Sequence, residues 1–324
     1  MNTAEILERI RDLRVLVVGD ICLDRWCWYD PALALASAET GIPRTGVVRV
    51  EVTPGAGGTV SNNLAALGVG KVDVLGVAGR DGFGWELREA LSVRGIGHEH
   101  LLQVDGLQTF TYTKLINATN DVEDLARVDF VNTRALSEDV DLALVYRFNN
   151  AAPEYDVVIV SDQAETSAGG VVSATLRGAI ESFAQAHPNV VVWVDSRTRA
   201  ELFQGVIIKP NEKEASEACE RAFGAVDFAR LRAHCEAPLL FVTQGGNGVR
   251  IFSPVGEASI RTTPEPNPVD ICGAGDSFTA GAATAYAVTR DAEAAARFGN
   301  RVASITIMKK GTGTASPDEL RAKE

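Results

Sequence analysis

Five cysteines in 324 residues, none in a Cys-x-x-Cys pair, leave little material for a disulfide framework or a cysteine-based zinc site. Cys22, Cys27, Cys219, Cys235 and Cys272 therefore read as reduced, buried thiols of a cytosolic protein. Histidine is as scarce. His98 and His100, two of the four, stand two apart, which is wrong for one helix face, and neither belongs to a His-Glu-x-x-His pattern. Positive charge is short as well: 31 Lys and Arg against 43 Asp and Glu give −12. A non-specific nucleic-acid binder needs a basic face, so nucleic acid is not an expected partner. A few local donors could still hold a small anion. No apolar run approaches the roughly 20 residues that cross a bilayer. Residues 1–14 mix Glu and Arg with Ile6, Leu7, Ile10 and Leu13, a short amphipathic helix rather than a secretory segment. A soluble cytoplasmic chain with no membrane partner is expected.

What is present is ordinary globular material, 46% apolar and 23% charged. Short β-branched runs alternate with helical patterns. Val15–Val18, Val72–Val77, Val157–Val160, Val190–Val194 and Leu239–Val242 are apolar on both faces, as the buried strands of a parallel sheet are. Between them lie helical stretches near 60–68, 84–94, 171–186 and 213–222. A further one carries Ala295, Phe298, Val302 and Ile305 at spacings of three and four. The alternation predicts an α/β fold, a doubly wound, mostly parallel sheet with helices on both faces. Ser253–Ile260 reads as a hairpin. Two stretches break the pattern, 22–52 and 109–130. Their strand-like pieces, Gly46–Val52 and Thr109–Ile116, alternate apolar and polar residues, so one face is wet or covered by a partner. They are expected to form a small β-lid inserted into one domain spanning 1–324, with no linker and no repeat.

The segment Asn267–Phe278 carries the strongest chemical signal. Gly273-Ala274-Gly275 feeds a helix-forming run, and such a turn exposes free N–H groups at the positive end of a helix dipole, a site for phosphate or a developing oxyanion. Asp276 falls in the first turn, facing the same place. A carboxylate beside an anion hole makes chemical sense if it takes the proton of a hydroxyl that attacks phosphorus. Read alone, Asp276 is equally a helix cap and Gly-Ala-Gly a tight turn. No Walker loop is present, and Gly55–Val60 breaks the dinucleotide-binding Gly pattern at its last position.

Asp270-Ile271-Cys272-Gly273-Ala274-Gly275-Asp276 resembles the DTxGAGD signature of the ribokinase-like (PfkB) carbohydrate kinases. The resemblance runs over nearly the whole chain. Gly19–Trp26, Ser37–Pro43, Arg127–Phe130, Ser161-Asp162 and Gly311–Pro317 are similar to segments of the bacterial heptose-7-phosphate kinases, the kinase half of a bifunctional enzyme. It implies an ATP- and Mg²⁺-dependent phosphotransferase acting on a sugar or sugar phosphate. Asp276 would be the general base, and Gly273, Ala274 and Gly275 the donors to the transferring group. Asn211 and Glu214 match the family's NxxE motif, which orients nucleotide phosphates and water-bound Mg²⁺. Their spacing also fits a capping box. Thr243, Gly245 and Gly248 match a nucleotide-side loop that would equally serve as a hairpin turn. Asn300 matches an Asn near the adenine. Asp24 would bind acceptor hydroxyls, with Asp129 as a second lid contact. Gly55 and Gly58 fall in the sugar-holding glycine segment. Trp26, Trp28 and Tyr29 read as lid core or as a wall of the sugar site. The resemblance also implies a homodimer through the lid.

Three departures qualify these roles. Thr59 stands where the family has a sugar-binding Asn, and Ala56 where it has the second Gly, so the acceptor site is altered unless Asn62 or Asn63 compensates. Ile271 replaces the usual Thr near a loop that binds a monovalent cation in some relatives, which leaves that cofactor open. No nucleotidyltransferase half is expected. Kinases for another sugar or a nucleoside, and a catalytically silent sensor, are the competing functions.

Overall fold

The computed structural model describes residues 1–164, 166 and 168–323. Its strands, in chain order, are β1 (Arg14–Gly19), β2 (Ile21–Tyr29), β3 (Val47–Ala56), β4 (Lys71–Gly79), β5 (Gly97–Val104), β6 (Thr111–Asn117), β7 (Val122–Glu123), β8 (Val128–Phe130), β9 (Val157–Asp162), β10 (Val191–Ser196), β11 (Ile207–Ile208), β12 (Leu240–Thr243), β13 (Val249–Ser253) and β14 (Gly256–Ile260). Nine of them form the larger sheet, in the order β14-β13-β12-β11-β10-β9-β1-β4-β5. It is parallel from β5 to β12 and antiparallel in the β12-β13-β14 meander. The fold is the predicted α/β one, a mostly parallel sheet covered on both faces.

The reason lies in β1. Val15, Leu16, Val17 and Val18 are all fully buried, so both faces of the strand need cover. Val15 and Val17 pack with Leu64, Phe278 and Phe298 from helices Gly57–Leu67, Ala274–Thr289 and Ala292–Thr306. Leu16 and Val18 pack with Phe148, Leu176 and Ala215 from helices Glu138–Ala151, Ala174–Ala186 and Glu212–Phe223. Each fully buried aliphatic side chain of this kind contributes about 1.5–3 kcal/mol.

The smaller sheet takes its strands from two separate parts of the chain. Its order is β3-β2-β6-β7, with β8 also on β6. β2 and β6 run parallel, and the other pairs are antiparallel. Only Asp20 separates β1 from β2. Its buried carboxylate accepts the N–H groups of Gln163 and Val171, and its carbonyl accepts Gly57 N–H. The antiparallel run of β3 continues to Ala56, four residues past the expected edge, and passes directly into helix Gly57–Leu67. Helix Glu138–Ala151 and strand β5 were not anticipated. The helix had a readable signal in Val140, Leu144 and Phe148, whereas β5 is an edge strand whose polar residues hide it. The cysteines are free, but Cys272 is exposed rather than buried.

Candidate active site

Helix Ala274–Thr289 opens on Gly273, whose φ of +76° is a left-handed conformation that glycine takes without strain. Ala274 N–H donates to Ile271 O at 3.2 Å, whereas a helix leaves the next first-turn N–H groups, here those of Gly275 and Asp276, without helical partners. This corner separates two cavities. The larger, about 340 Å³, is bounded by Thr243, Gly245, Gly248, Ile271, Ala274, Gly275 and Asn300. The smaller, about 150 Å³, is bounded by Asp24, Trp26, Ala56, Thr59, Tyr112, Lys114, Arg127, Arg197, Cys272, Gly273 and Asp276. One loop thus lines both chambers, Ile271, Ala274 and Gly275 the larger and Cys272, Gly273 and Asp276 the smaller, and Asp276 stands at the partition.

Asp24 lies in β2, and its carboxylate occupies the space beside Gly55. Asp276 is half-buried on the core side of the same chamber. Its carboxyl is pushed up to about 8, chiefly by burial and then by the nearby Asp195 charge, against the pull of Lys209. Burial likewise pushes Asp24 up to about 6, with Lys114 and Arg127 opposing. Behind Asp276 is a buried network that sequence reasoning missed. Lys209 Nζ lies 2.8 Å from Asp195 Oδ2, which also accepts the Thr279 hydroxyl at 3.1 Å. Lys209 sits two residues before Asn211, at the end of an apolar strand, and that placement was its only signal.

Asn211 and Glu214 form a reciprocal cap. Asn211 Oδ1 accepts Glu214 N–H at 2.9 Å, and Glu214 Oε2 accepts Asn211 N–H at 2.8 Å. Burial and the Asp195 charge raise the Glu214 carboxyl, which is partly relieved by Lys209. Among the described residues no three His, Cys, Asp or Glu side chains converge to cage a metal, so any ion here keeps water or phosphate ligands. Asn300 Nδ2 is buried at the larger cavity with no hydrogen-bond partner among the described residues.

The remaining predicted residues lie at the margins. Gly58 packs against Pro54 and the Cys22 carbonyl, outside both cavities. Asp129 holds Arg127 through Nε and Nη2, at 3.0 and 2.7 Å, and its Oδ1 is buried without a partner among the described residues. Neither Asn62 nor Asn63 lines the smaller cavity. Asn63 Nδ2 donates to Thr59 O, and the Thr59 hydroxyl to Pro54 O. Trp26 walls the cavity, whereas Trp28 and Tyr29 are buried, donating to Asp121 and Asp124.

Residues 14–319 match the model of the pfkB family carbohydrate kinases. The chain belongs to that family, whose members are phosphotransferases acting on sugar hydroxyls. It is 31% identical over 317 residues to the bifunctional protein HldE of Desulfatibacillum aliphaticivorans, covering 96% of this chain and 63% of the relative. Against HldE of Methylococcus capsulatus the identity is 32% over 318 residues, with 95% and 63% coverage. The chain therefore spans less than two thirds of these relatives. Among solved structures, it resembles phosphofructokinase-2 from Escherichia coli in complex with potassium, with TM-score 0.72, 21% identity and coverage of 96% and 97%. It also resembles Arabidopsis thaliana ribokinase complexed with ribose and ATP, with TM-score 0.68, 20% identity and coverage of 96% and 98%. No described helix is long and apolar enough to cross a membrane.

Proposed function

We propose that this chain transfers the γ-phosphoryl group of ATP to a hydroxyl of a phosphorylated sugar, a heptose 7-phosphate. The observation that carries the reading is the partition: Gly275 faces the larger chamber and Asp276 the smaller, one residue apart on a helix N-terminus. A nucleotide in the larger chamber, between the Thr243–Gly248 loop and Asn300, presents its terminal phosphate to the first-turn N–H groups. An acceptor held by Asp24 presents its hydroxyl to Asp276. Asp276 accepts that proton as the oxygen attacks the γ-phosphorus, the bond to the β–γ bridging oxygen breaks and ADP leaves, while the N–H groups offset the developing charge. Asn211 and Glu214 would orient the water shell of a Mg²⁺ ion, whose charge would screen the phosphates. The choice of a heptose phosphate is supported by the similarity to HldE over almost the whole chain.

The lid also supports a homodimer. β3 is an edge strand, and its Val48 and Val50 are exposed. Static light scattering at several concentrations tests that part, and a monomer throughout overturns it.

The kinase reading is tested by ADP release with Mg-ATP against heptose 7-phosphate, heptose, fructose, ribose, fructose 6-phosphate and adenosine. Turnover strongest on heptose 7-phosphate and lost in Asp276→Asn is expected. Turnover on another acceptor alone rejects the heptose assignment. Undiminished turnover in Asp276→Asn rejects the mechanism.

A further inference from the structure

The segment that follows helix Ala292–Thr306 ends against the anion hole. Gly311 N–H donates to Asp270 Oδ2 at 3.1 Å, and Asp270 Oδ1 accepts Cys272 N–H at 2.9 Å. One carboxylate therefore ties this segment to the turn that opens helix Ala274–Thr289. Thr312 lines the smaller cavity, and a Cβ placed on Gly273 would stand 3.3 Å from its methyl group. Gly311 is buried, and a Cβ there would stand 3.3 Å from the Trp26 ring. Lid, acceptor chamber and helix terminus thus meet on residues 311 and 312. Yet Gly311-Thr312-Gly313-Thr314 carries no apolar side chain larger than a methyl group with which to anchor itself.

An ammonium group holds it instead. Lys309 Nζ donates to Thr314 O at 2.6 Å and lies 2.7 and 2.9 Å from the two carboxylate oxygens of Glu319, in helix Pro317–Ala322. Those partners use the three donors of an ammonium. Glu319 also accepts Ser316 N–H at 2.8 Å. The Lys309 and Ser316 hydrogen bonds hold the Glu319 carboxyl down to about 2, so the pair stays charged at any pH near neutral. The Lys309 stem runs beside Gly313, where a Cβ would stand 2.7 Å from Lys309 Cβ. An ion pair this exposed adds little to overall stability. Its effect is on the shape of the loop it spans.

A monovalent cation, the cofactor that Ile271 left open, does not fit this corner. K⁺ or Na⁺ needs several oxygens in place of its hydration shell. The oxygens at hand already have donors. Each Asp270 oxygen accepts an N–H, Ile307 O accepts those of Val269 and Asp270, Gly311 O accepts that of Gly313, and Thr314 O accepts Lys309. Ile271 brings no side-chain oxygen. A second cation set beside the ammonium would be repelled by it.

We propose that Lys309 is a positioning residue whose ammonium stands in for a monovalent cation. It braces residues 310–316, so that Gly311 and Asp270 hold the anion hole in its binding geometry, and the chain works without K⁺ or Na⁺. This rests on the kinase reading above for what the anion hole does, but not for the brace itself.

The test compares KCl with tetramethylammonium chloride at equal ionic strength. It reads ADP release on the acceptor that the panel above identifies, ATP binding by calorimetry, and thermal melting, all on the whole chain. The wild type is expected to give the same kcat, ATP affinity and melting temperature in both salts. In tetramethylammonium chloride, Lys309→Ala should lose about 10²-fold in kcat, the cost of an anion hole displaced by about an ångström, with the acceptor KM little changed. KCl or n-propylammonium chloride should restore much of that loss by entering the vacated space, and should tighten ATP binding in parallel. Lys309→Met, which fills the space without charge, should not respond. Such rescue separates a positioning ammonium from a merely structural ion pair. Activation of the wild type by K⁺ overturns the proposal, and that arm needs no variant to fold. So does full activity of Lys309→Ala in tetramethylammonium chloride, or a loss that neither KCl nor n-propylammonium chloride restores. If no acceptor is turned over, the kinase reading falls, while ATP binding and melting in the same salts still decide whether Lys309 replaces the cation.

Discussion

A Cβ atom placed on Gly55 would stand 2.5 Å from Oδ1 and 2.6 Å from Cγ of Asp24. The Asp24 carboxylate therefore rests in space that only glycine leaves open. On the proposed kinase reading, Gly55 would seat Asp24, the group that would hold the acceptor, rather than touch the sugar itself. Gly55→Ala should rotate Asp24 away while the sheet stays paired, because the obstructed atoms belong to a side chain. The expected result is a KM for the acceptor raised about tenfold, about 1.4 kcal/mol, with KM for ATP and the melting temperature little changed. An unchanged acceptor KM would show that Asp24 does not hold it.

Asp276→Asn keeps the shape of the partition and removes the base. kcat should fall by about 10²–10⁴-fold, the usual contribution of a positioned base, with nucleotide affinity retained. Single-turnover kinetics and ATP titration check both halves.

Acid should silence the free enzyme through the same group. The Asp276 carboxyl sits at about 8, so kcat/KM for the acceptor should rise with pH through that value as the base is uncovered. Its folded pKa lies above the ordinary carboxylate value, so the folded state binds the proton more tightly than the unfolded chain. The stability that this supplies is fully present below the ordinary carboxylate range and is lost as pH rises through about 8. Urea midpoints should therefore drop between pH 6 and 8.5 more in the wild type than in Asp276→Asn. Asp195→Asn, which removes a neighbouring negative charge, should move the activity limb to lower pH. An unmoved limb would remove Asp195 from the account.

Ala56 joins β3 to the following helix at φ +52° and ψ −118°, a conformation strained for any residue with a Cβ. Ala56→Gly should stabilise the protein by about 1 kcal/mol, seen as a melting temperature higher by about 2 °C. A lower melting temperature would mean that the Cβ packs usefully against the cavity wall.

Asn211 and Glu214 share a cap yet should separate in function. Asn211→Ala should cost about 1 kcal/mol of stability. Glu214→Gln retains an oxygen for the cap, so its main effect should be a Mg²⁺ concentration for half-activity raised about tenfold. Equal Mg²⁺ requirements in Glu214→Gln and wild type would confine Glu214 to capping.

Much of this arrangement is readable from residue order because it is local. Val15–Val18 declares a strand covered on both faces, and Gly273–Asp276 declares a helix terminus with its carboxylate, since each spans a few consecutive residues. Asn211 and Glu214 announce a cap by spacing alone, and the structure contains that cap. Two cations of the smaller cavity were opaque for the opposite reason, whereas Arg127 belonged to a segment that resembles the family. Lys114 lies in β6 and Arg197 just after β10, and each alone resembles a solvated surface charge. Their convergence depends on strand register, which a single sequence does not display. The strand that carries Asp24 had no boundary to announce it, because it follows β1 after a single residue.

That single-residue join has a mechanical consequence. β2 leaves Asp20 as a nine-residue arm, about 30 Å long at the rise of an extended strand. Asp20 is pinned through its carboxylate to Gln163 and Val171, and through its carbonyl to Gly57 at the foot of the neighbouring arm. Both arms of the lid therefore start from one clamped point in the body. A turn of about 10° there would carry the far end of β2 through about 5 Å, the same lever length being set by the strand rise. Asp24, four residues along the arm, would move about 2 Å, less than half as far. Such a lever changes access most at the rim and least at the foot of the arms.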